Sequence, residues 1–255
     1  MMNKYRHPKE KTAALVTFGI GLAASLLFVT VTFGCGLFLL GIGFAWMSIN
    51  LLNNPRLDRY HRVDGHNLPD LYNLVHEVRR KWHMRDLEIY LNPTNQINAS
   101  ASDFGKDFLI VNQGLWMSIR GEEHRKFVIG HELGHIGLGH SWLRVLAYQA
   151  DNAFQGSLLG FLFQFLLLNY SRMKELSADR IGLLSCGDLT AALEVLAFLE
   201  LAPQNPSMED IRRTVQQMAS SKDDRFSLNE LFSTHPDMEE RARELISFAR
   251  EMKMI

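Results

Sequence analysis

Apolar residues are distributed very unevenly along this chain of 255 residues. From Thr12 to Leu52, 41 consecutive residues include no Asp, Glu, Lys or Arg. A helix of that length runs roughly 61 Å, about twice the ~30 Å hydrocarbon core of a bilayer. The pattern therefore predicts a hairpin of two crossings, turning near Phe33-Gly34-Cys35-Gly36, where glycine accepts the backbone angles of a turn. After the Asn53-Asn54-Pro55 break, apolar positions at Leu68, Leu71, Leu74, Val75, Val78 and Trp82 have helical spacing. Leu87 to Leu91 alternates like a strand, and Phe108 to Val111 predicts a second, with a polar stretch, Asn98 to Lys106, between them. Helical spacing returns from Glu122 to His140. Further helices fit Ser171–Leu184, Leu189–Leu201, Met208–Met218 and Met238–Met252.

A second apolar run, Asn152 to Ser171, holds 20 residues without a formal charge and is long enough to span a bilayer. The expectation is a mainly α protein with a small β-sheet and an N-terminal transmembrane helical hairpin. Its parts are a basic tail at 1–11, the hairpin at 12–52 and a folded domain at 53–255.

Composition adds exclusions. With 27 Lys+Arg against 28 Asp+Glu and a pI near 6.8, the chain has no basic footprint for nucleic acid. Mean hydropathy of −0.07 hides the apolar block, because the rest of the chain is polar. Two cysteines, Cys35 and Cys186, give neither a disulfide framework nor a cysteine zinc site. Lys4, Arg6, Lys9 and Lys11 precede the block, and Arg56, Arg59 and Arg62 follow it. Positive residues on both flanks place both ends of the hairpin in the cytoplasm.

The chemistry centres on His131-Glu132-Leu133-Gly134-His135. Histidines four apart lie on one helical face and can share one metal ion, with Glu132 offset to act on a water. A catalytic zinc needs a third protein ligand and keeps one position open. A histidine at 141 after a glycine at 138 would supply it in one known arrangement, but those residues are Ser141 and Leu138, and His140 is one residue out of place. A carboxylate from a later helix is the other route. Glu175 and Asp179 lie one turn apart, so Glu175 can ligate while Asp179 bonds the free nitrogen of a ligand histidine. A single crossing by 152–171 would put His135 and Glu175 on opposite sides of the membrane. The run therefore either dips in and returns at Gly156 or Gly160, or packs on the membrane face or in the core of the domain; a membrane-apposed segment at 152–171 is the expectation.

His131 to His135, the Glu175-Leu176-Ser177-Ala178-Asp179 run, and Thr234-His235-Pro236 followed by Arg241 resemble the HtpX-like membrane zinc metalloproteases. These belong to a superfamily shared with the CAAX prenyl proteases. The resemblance implies a zincin-type α+β catalytic domain of the gluzincin kind, with one Zn2+ held by His131, His135 and Glu175. It implies Glu132 as general base, Asp179 and Arg241 behind the ligands, and His235 near the metal, steadying the oxyanion. Asn98, Ala99, Ser100 and Ala101 resemble the stretch beside the edge strand that receives substrate. It further implies a multi-pass protein of the cell (inner) membrane that cleaves membrane-associated proteins or peptides in quality control. The residues leave open a metal-binding but catalytically silent membrane chaperone or scaffold, against which an intact Glu132 argues. A prenyl-protein protease is a poor match, because that group carries many more crossings than one hairpin.

Overall fold

The structure, a computed structural model, describes residues 1–31, 41, 57–103, 106–119, 121–140, 158–220 and 238–255. The turn at 33–36, the second crossing to Leu52, His235 with its neighbours Thr234 and Pro236, and the start of the second apolar run all lie outside these residues.

The first helix, α1, spans Pro8–Val31. Proline at its first position loses nothing, since that N–H has no intrahelical partner. A 3-10 turn at Met2–Tyr5 precedes it. The sequence suggested a basic tail here, yet the segment is packed: Met2 is buried, and the Tyr5 ring meets Trp82 and Phe248 edge-on at 5.7 and 6.4 Å. Ala13 and Ala14 of α1 pack against Tyr170, Met173 and Leu176. Farther along α1, Leu15, Phe18, Leu22, Leu26 and Leu27 are more than half exposed. On the described residues alone, no helix is long and apolar enough to cross a membrane.

Helix α2 (Pro69–Lys81) buries Leu71, Leu74, Val75 and Val78, the stripe that the spacing predicts. The sheet has four strands, β1 (His61–Arg62), β2 (Glu88–Asn92), β3 (Ala99–Ser102) and β4 (Phe108–Asn112), in the order β1-β2-β4-β3. β2 and β4 run parallel, while the outer strands pair antiparallel. β4 is buried along its whole length, as suits a central strand. The polar stretch after Asn98 forms β3, a third strand rather than a loop. Its alternation of Ala and Ser lacks the bulky β-branched residues that usually mark strands, and pairing with β4 supplies the order instead.

A short helix, α3 (Gln113–Ser118), leads into α4 (Glu122–Gly137), which carries the paired histidines. Glu122 and Glu123 occupy its first turn, where negative charge complements the helix dipole. Arg125 ties the two helices together by donating to the carbonyls of Ile119 and Trp116 at 2.6 and 3.0 Å. Helix α5 spans Leu158–Cys186 without a break, which excludes a return at Gly160. The latter part of the second apolar run and the Glu175 segment are thus one helix. α6 (Leu189–Leu201), α7 (Met208–Ser220) and α8 (Met238–Glu251) complete the domain.

α4 and α5 lie side by side through the core, where Phe127, Leu133, Ile181 and Leu183 are fully buried. Each such side chain contributes about 1.5–3 kcal/mol on burial. Their backbones approach closely at Gly130: a Cβ there would stand 2.5 Å from that of Ser185. That approach brings ligands from two helices within reach of one ion.

Candidate metal centre

His131 and His135 project from successive turns of α4, and Glu175 faces them from α5. The two Nε2 atoms are 3.2 Å apart, and Glu175 lies 3.4 Å from His131 Nε2 and 3.6 Å from His135 Nε2. Donors held 2.0–2.1 Å from a tetrahedral ion stand about 3.3 Å from one another. The three observed separations match the edges of that tetrahedron. Two imidazole lone pairs and a carboxylate converging so closely repel one another unless a cation or proton lies among them. Glu175 is buried, and both histidines are largely so. The donor set therefore fits a single divalent cation.

The titration preferences follow from the surroundings. Burial pushes the His131 imidazole down, but hydrogen bonds to Asp179 and Glu175 outweigh it and raise the group to about 10. Burial holds His135 well below its usual value. Glu175 is pushed up by burial, yet His135, His131 and Arg241 together pull it well below the usual carboxylate range.

Each histidine is gripped from behind through Nδ1. Asp179 Oδ1 lies 2.8 Å from His131 Nδ1. Arg241 on α8 donates Nε and a terminal nitrogen to the two Asp179 oxygens at 2.7 and 2.6 Å. Burial raises the Asp179 carboxyl, but Arg241 more than offsets this and the group stays below its usual value. Arg241 thus stands one layer farther from the ligands than Asp179. On the other side, His140 Nδ1 lies 2.8 Å from His135 Nδ1. His140 arrives there because Gly139 takes φ +69°, a left-handed angle that reverses the chain after α4. Its Nε2 lies 3.1 Å from Oε1 of Glu10, which is fully buried.

Among the remaining candidates, Glu132 lies on α4, partly buried. Ala99 to Ala101 lie in β3 at the sheet edge, next to α4, with exposed Asn98 just before the strand. In the sequence, His140 carried a weak signal, as a histidine five residues past His135. Glu10 carried almost none, beyond being the one acid among the bases that precede the apolar block.

The sequence profile of peptidase family M48 matches residues 66–249, most of the chain, including His131, His135, His140, Glu175, Asp179 and Arg241 but not Glu10. The chain belongs to peptidase family M48. It is a metalloprotease of that family, with peptide substrates, and His131, His135 and Glu175 form its metal cluster. It is similar to the protease HtpX homologue of Persephonella marina, at 27% identity over 77% of this chain and 81% of that protein. The HtpX homologue of Bifidobacterium longum is 26% identical over 74% of each chain, and that of Trichormus variabilis 26% identical over 96% and 98%. The crystal structure of S. mikatae Ste24p aligns with a TM-score of 0.44 at 14% identity, covering 93% of this chain and 66% of that one.

Proposed function

We propose that this M48 chain is a membrane-anchored, zinc-dependent endopeptidase whose catalytic domain lies on the cytoplasmic side. The observation that carries the reading is the convergence of His131, His135 and Glu175 at 3.2 to 3.6 Å. Two imidazoles and one carboxylate at tetrahedral spacing favour zinc. When bound, zinc polarises the scissile carbonyl and makes water acidic enough to attack it near neutral pH.

The rest is the work of the chain's own groups. Glu132 accepts the proton of the attacking water and passes it to the leaving amine. Asp179 fixes the ring of His131 and selects the tautomer that leaves Nε2 free to ligate. His235 donates to the oxyanion as the tetrahedral intermediate forms. The outer edge of β3 takes an extended substrate as a further strand, so recognition falls mainly on main-chain hydrogen bonds. Loose side-chain demands suit the removal of damaged membrane proteins.

Two features support the anchor: the uncharged block from Thr12 to Leu52 with basic flanks, and the exposed leucines and phenylalanine of α1. Such a surface suits lipid better than water. The test is cleavage of casein by the detergent-purified chain in 1,10-phenanthroline, followed by zinc. Activity is expected to vanish with the chelator and return with zinc. Undiminished cleavage in the chelator would overturn the proposal.

A further inference from the structure

The N-terminal segment reaches the metal centre through contacts that the proposed chemistry does not use. Glu10 lies in the first turn of α1 and is fully buried, although it stands between the bases Lys9 and Lys11. Its carboxylate accepts from His140 Nε2, from the Ser177 hydroxyl and from the Arg6 guanidinium. Arg6 also donates to the carbonyl of Leu138, the residue that ends the histidine-bearing helix, at 2.6 Å. Ser177 in turn accepts the backbone N–H of His7 at 2.8 Å. Segment 2–10 is therefore attached at both ligand-bearing helices, α4 and α5.

The hydrogen bonds fix a direction. A histidine that ligates through Nε2 carries its proton on Nδ1 and needs an acceptor there. For His135 that acceptor is His140 Nδ1, so the His140 proton sits on Nε2, where only an acceptor can receive it. Glu10 provides that acceptor. The chain His135–His140–Glu10 mirrors His131–Asp179–Arg241 across the centre, with the terminal charges reversed. A carboxylate at the far end of one chain and a guanidinium at the far end of the other leave the ligands correctly tautomerised on both sides.

We infer that Glu10 is a positioning residue of the metal centre: acting through His140, it orients His135 for the metal and thereby makes the N-terminal segment part of the site. The inference rests on the zinc reading above and extends it. Because Glu10 lies in the first turn of α1, the helix proposed to enter the membrane and the ligand geometry are joined by one side chain. Displacing segment 2–10 would loosen His135 without touching any ligand.

The test uses the full-length chain in detergent, carrying Glu132→Gln to prevent self-cleavage, and reads zinc affinity by competition with a chromophoric chelator. Glu10→Gln keeps the shape of the side chain and removes its charge. It is expected to weaken zinc binding about 10- to 100-fold, the usual effect of losing a partner behind a ligand. Ser177→Ala, which removes a second partner of Glu10 and keeps the carboxylate, is expected to shift affinity the same way by less, and it decides the question if Glu10→Gln does not fold. Lys9→Gln, an exposed neighbour, is expected to leave affinity unchanged. On a His140→Ala background the Glu10→Gln effect should disappear, since the route it uses is gone.

A Glu10 that only held the fold would lower the melting temperature of the metal-free chain and add its full effect to that of His140→Ala. Zinc affinity unchanged in Glu10→Gln, or an effect that persists in full on His140→Ala, overturns the inference. Failure of the parent chain to bind zinc overturns the metal reading and this inference together. Zinc bound by the parent with Glu10→Gln unaffected overturns this inference alone.

Discussion

His131 meets Asp179 at 2.8 Å, and through that contact α4 is joined to α5 and, by way of Arg241, to α8. Three helices distant in sequence thereby share responsibility for one imidazole. Removing either outer member has a distinct cost. Arg241→Met leaves the buried Asp179 carboxylate without its guanidinium partner and held by His131 alone, and urea unfolding should show a loss of about 3 kcal/mol. Asp179→Asn keeps the shape but weakens the acceptor on His131, and chelator competition should show zinc held about 10- to 100-fold less tightly. Equal zinc affinity in Asp179→Asn and wild type would contradict this assignment.

Gly139 at φ +69° places His140 over His135, and no crowding surrounds it. The constraint there is backbone angle alone. Gly139→Asn, a residue that tolerates left-handed angles, should retain zinc affinity and stability near wild type. Gly139→Val should lose stability by at least about 1–2 kcal/mol and bind zinc more weakly. Thermal melts with and without zinc separate the two, and equal behaviour of both variants would refute the argument.

The register of β3 makes a prediction about substrate. Asn112 N–H donates to Asn98 O, and Ser100 pairs with Ile110, so the N–H groups of Ala99 and Ala101 point away from β4. Ala99→Pro removes one outward donor and is tolerated at the start of an edge strand. KM for an extended peptide should rise about fivefold, roughly the worth of one hydrogen bond, with kcat little altered. Ser100→Pro breaks the ladder to β4 instead, and should show itself in a lower melting temperature. An unchanged KM in Ala99→Pro would exclude this edge as the substrate strand.

Cys186 ends α5 half-buried, and burial pushes its thiol up to about 11. The charged thiolate is the disfavoured form, so the group remains a thiol through neutral pH. In a Cys35→Ser chain, the rate of iodoacetamide labelling should still be climbing close to tenfold per pH unit between 8 and about 10. A plateau beginning near pH 9, as for an ordinary thiol, would contradict the burial argument.

Much of this architecture is legible in the chain because periodicity reports which face is buried. The stripe on α2 and the strands β2 and β4 are read directly from their apolar residues. The histidine pair was legible too, since spacing within a helix fixes which side chains share a face, whereas Glu175, on a separate helix, was pointed to by its place after that pair and by the resemblance to the HtpX-like proteases. What escaped was long-range. β3 owes its order to β4 rather than to its own Ala and Ser residues. The union of the second apolar run with the Glu175 helix escaped because a glycine such as Gly160 inside a helix costs only about 1 kcal/mol relative to alanine, so it need not mark a break. Glu10 is 130 residues from His140 in sequence, and no local pattern links an acid in a basic segment to a histidine after a distant helix.

The proposed activity requires one zinc ion, held by His131, His135 and Glu175, working with Glu132 as the base. The most direct measurement is the parallel assay of bound zinc and casein cleavage in the wild-type chain and in Glu132→Gln. About one zinc per chain is expected in both, with cleavage in the wild type alone. Cleavage by Glu132→Gln at the wild-type rate would contradict that requirement.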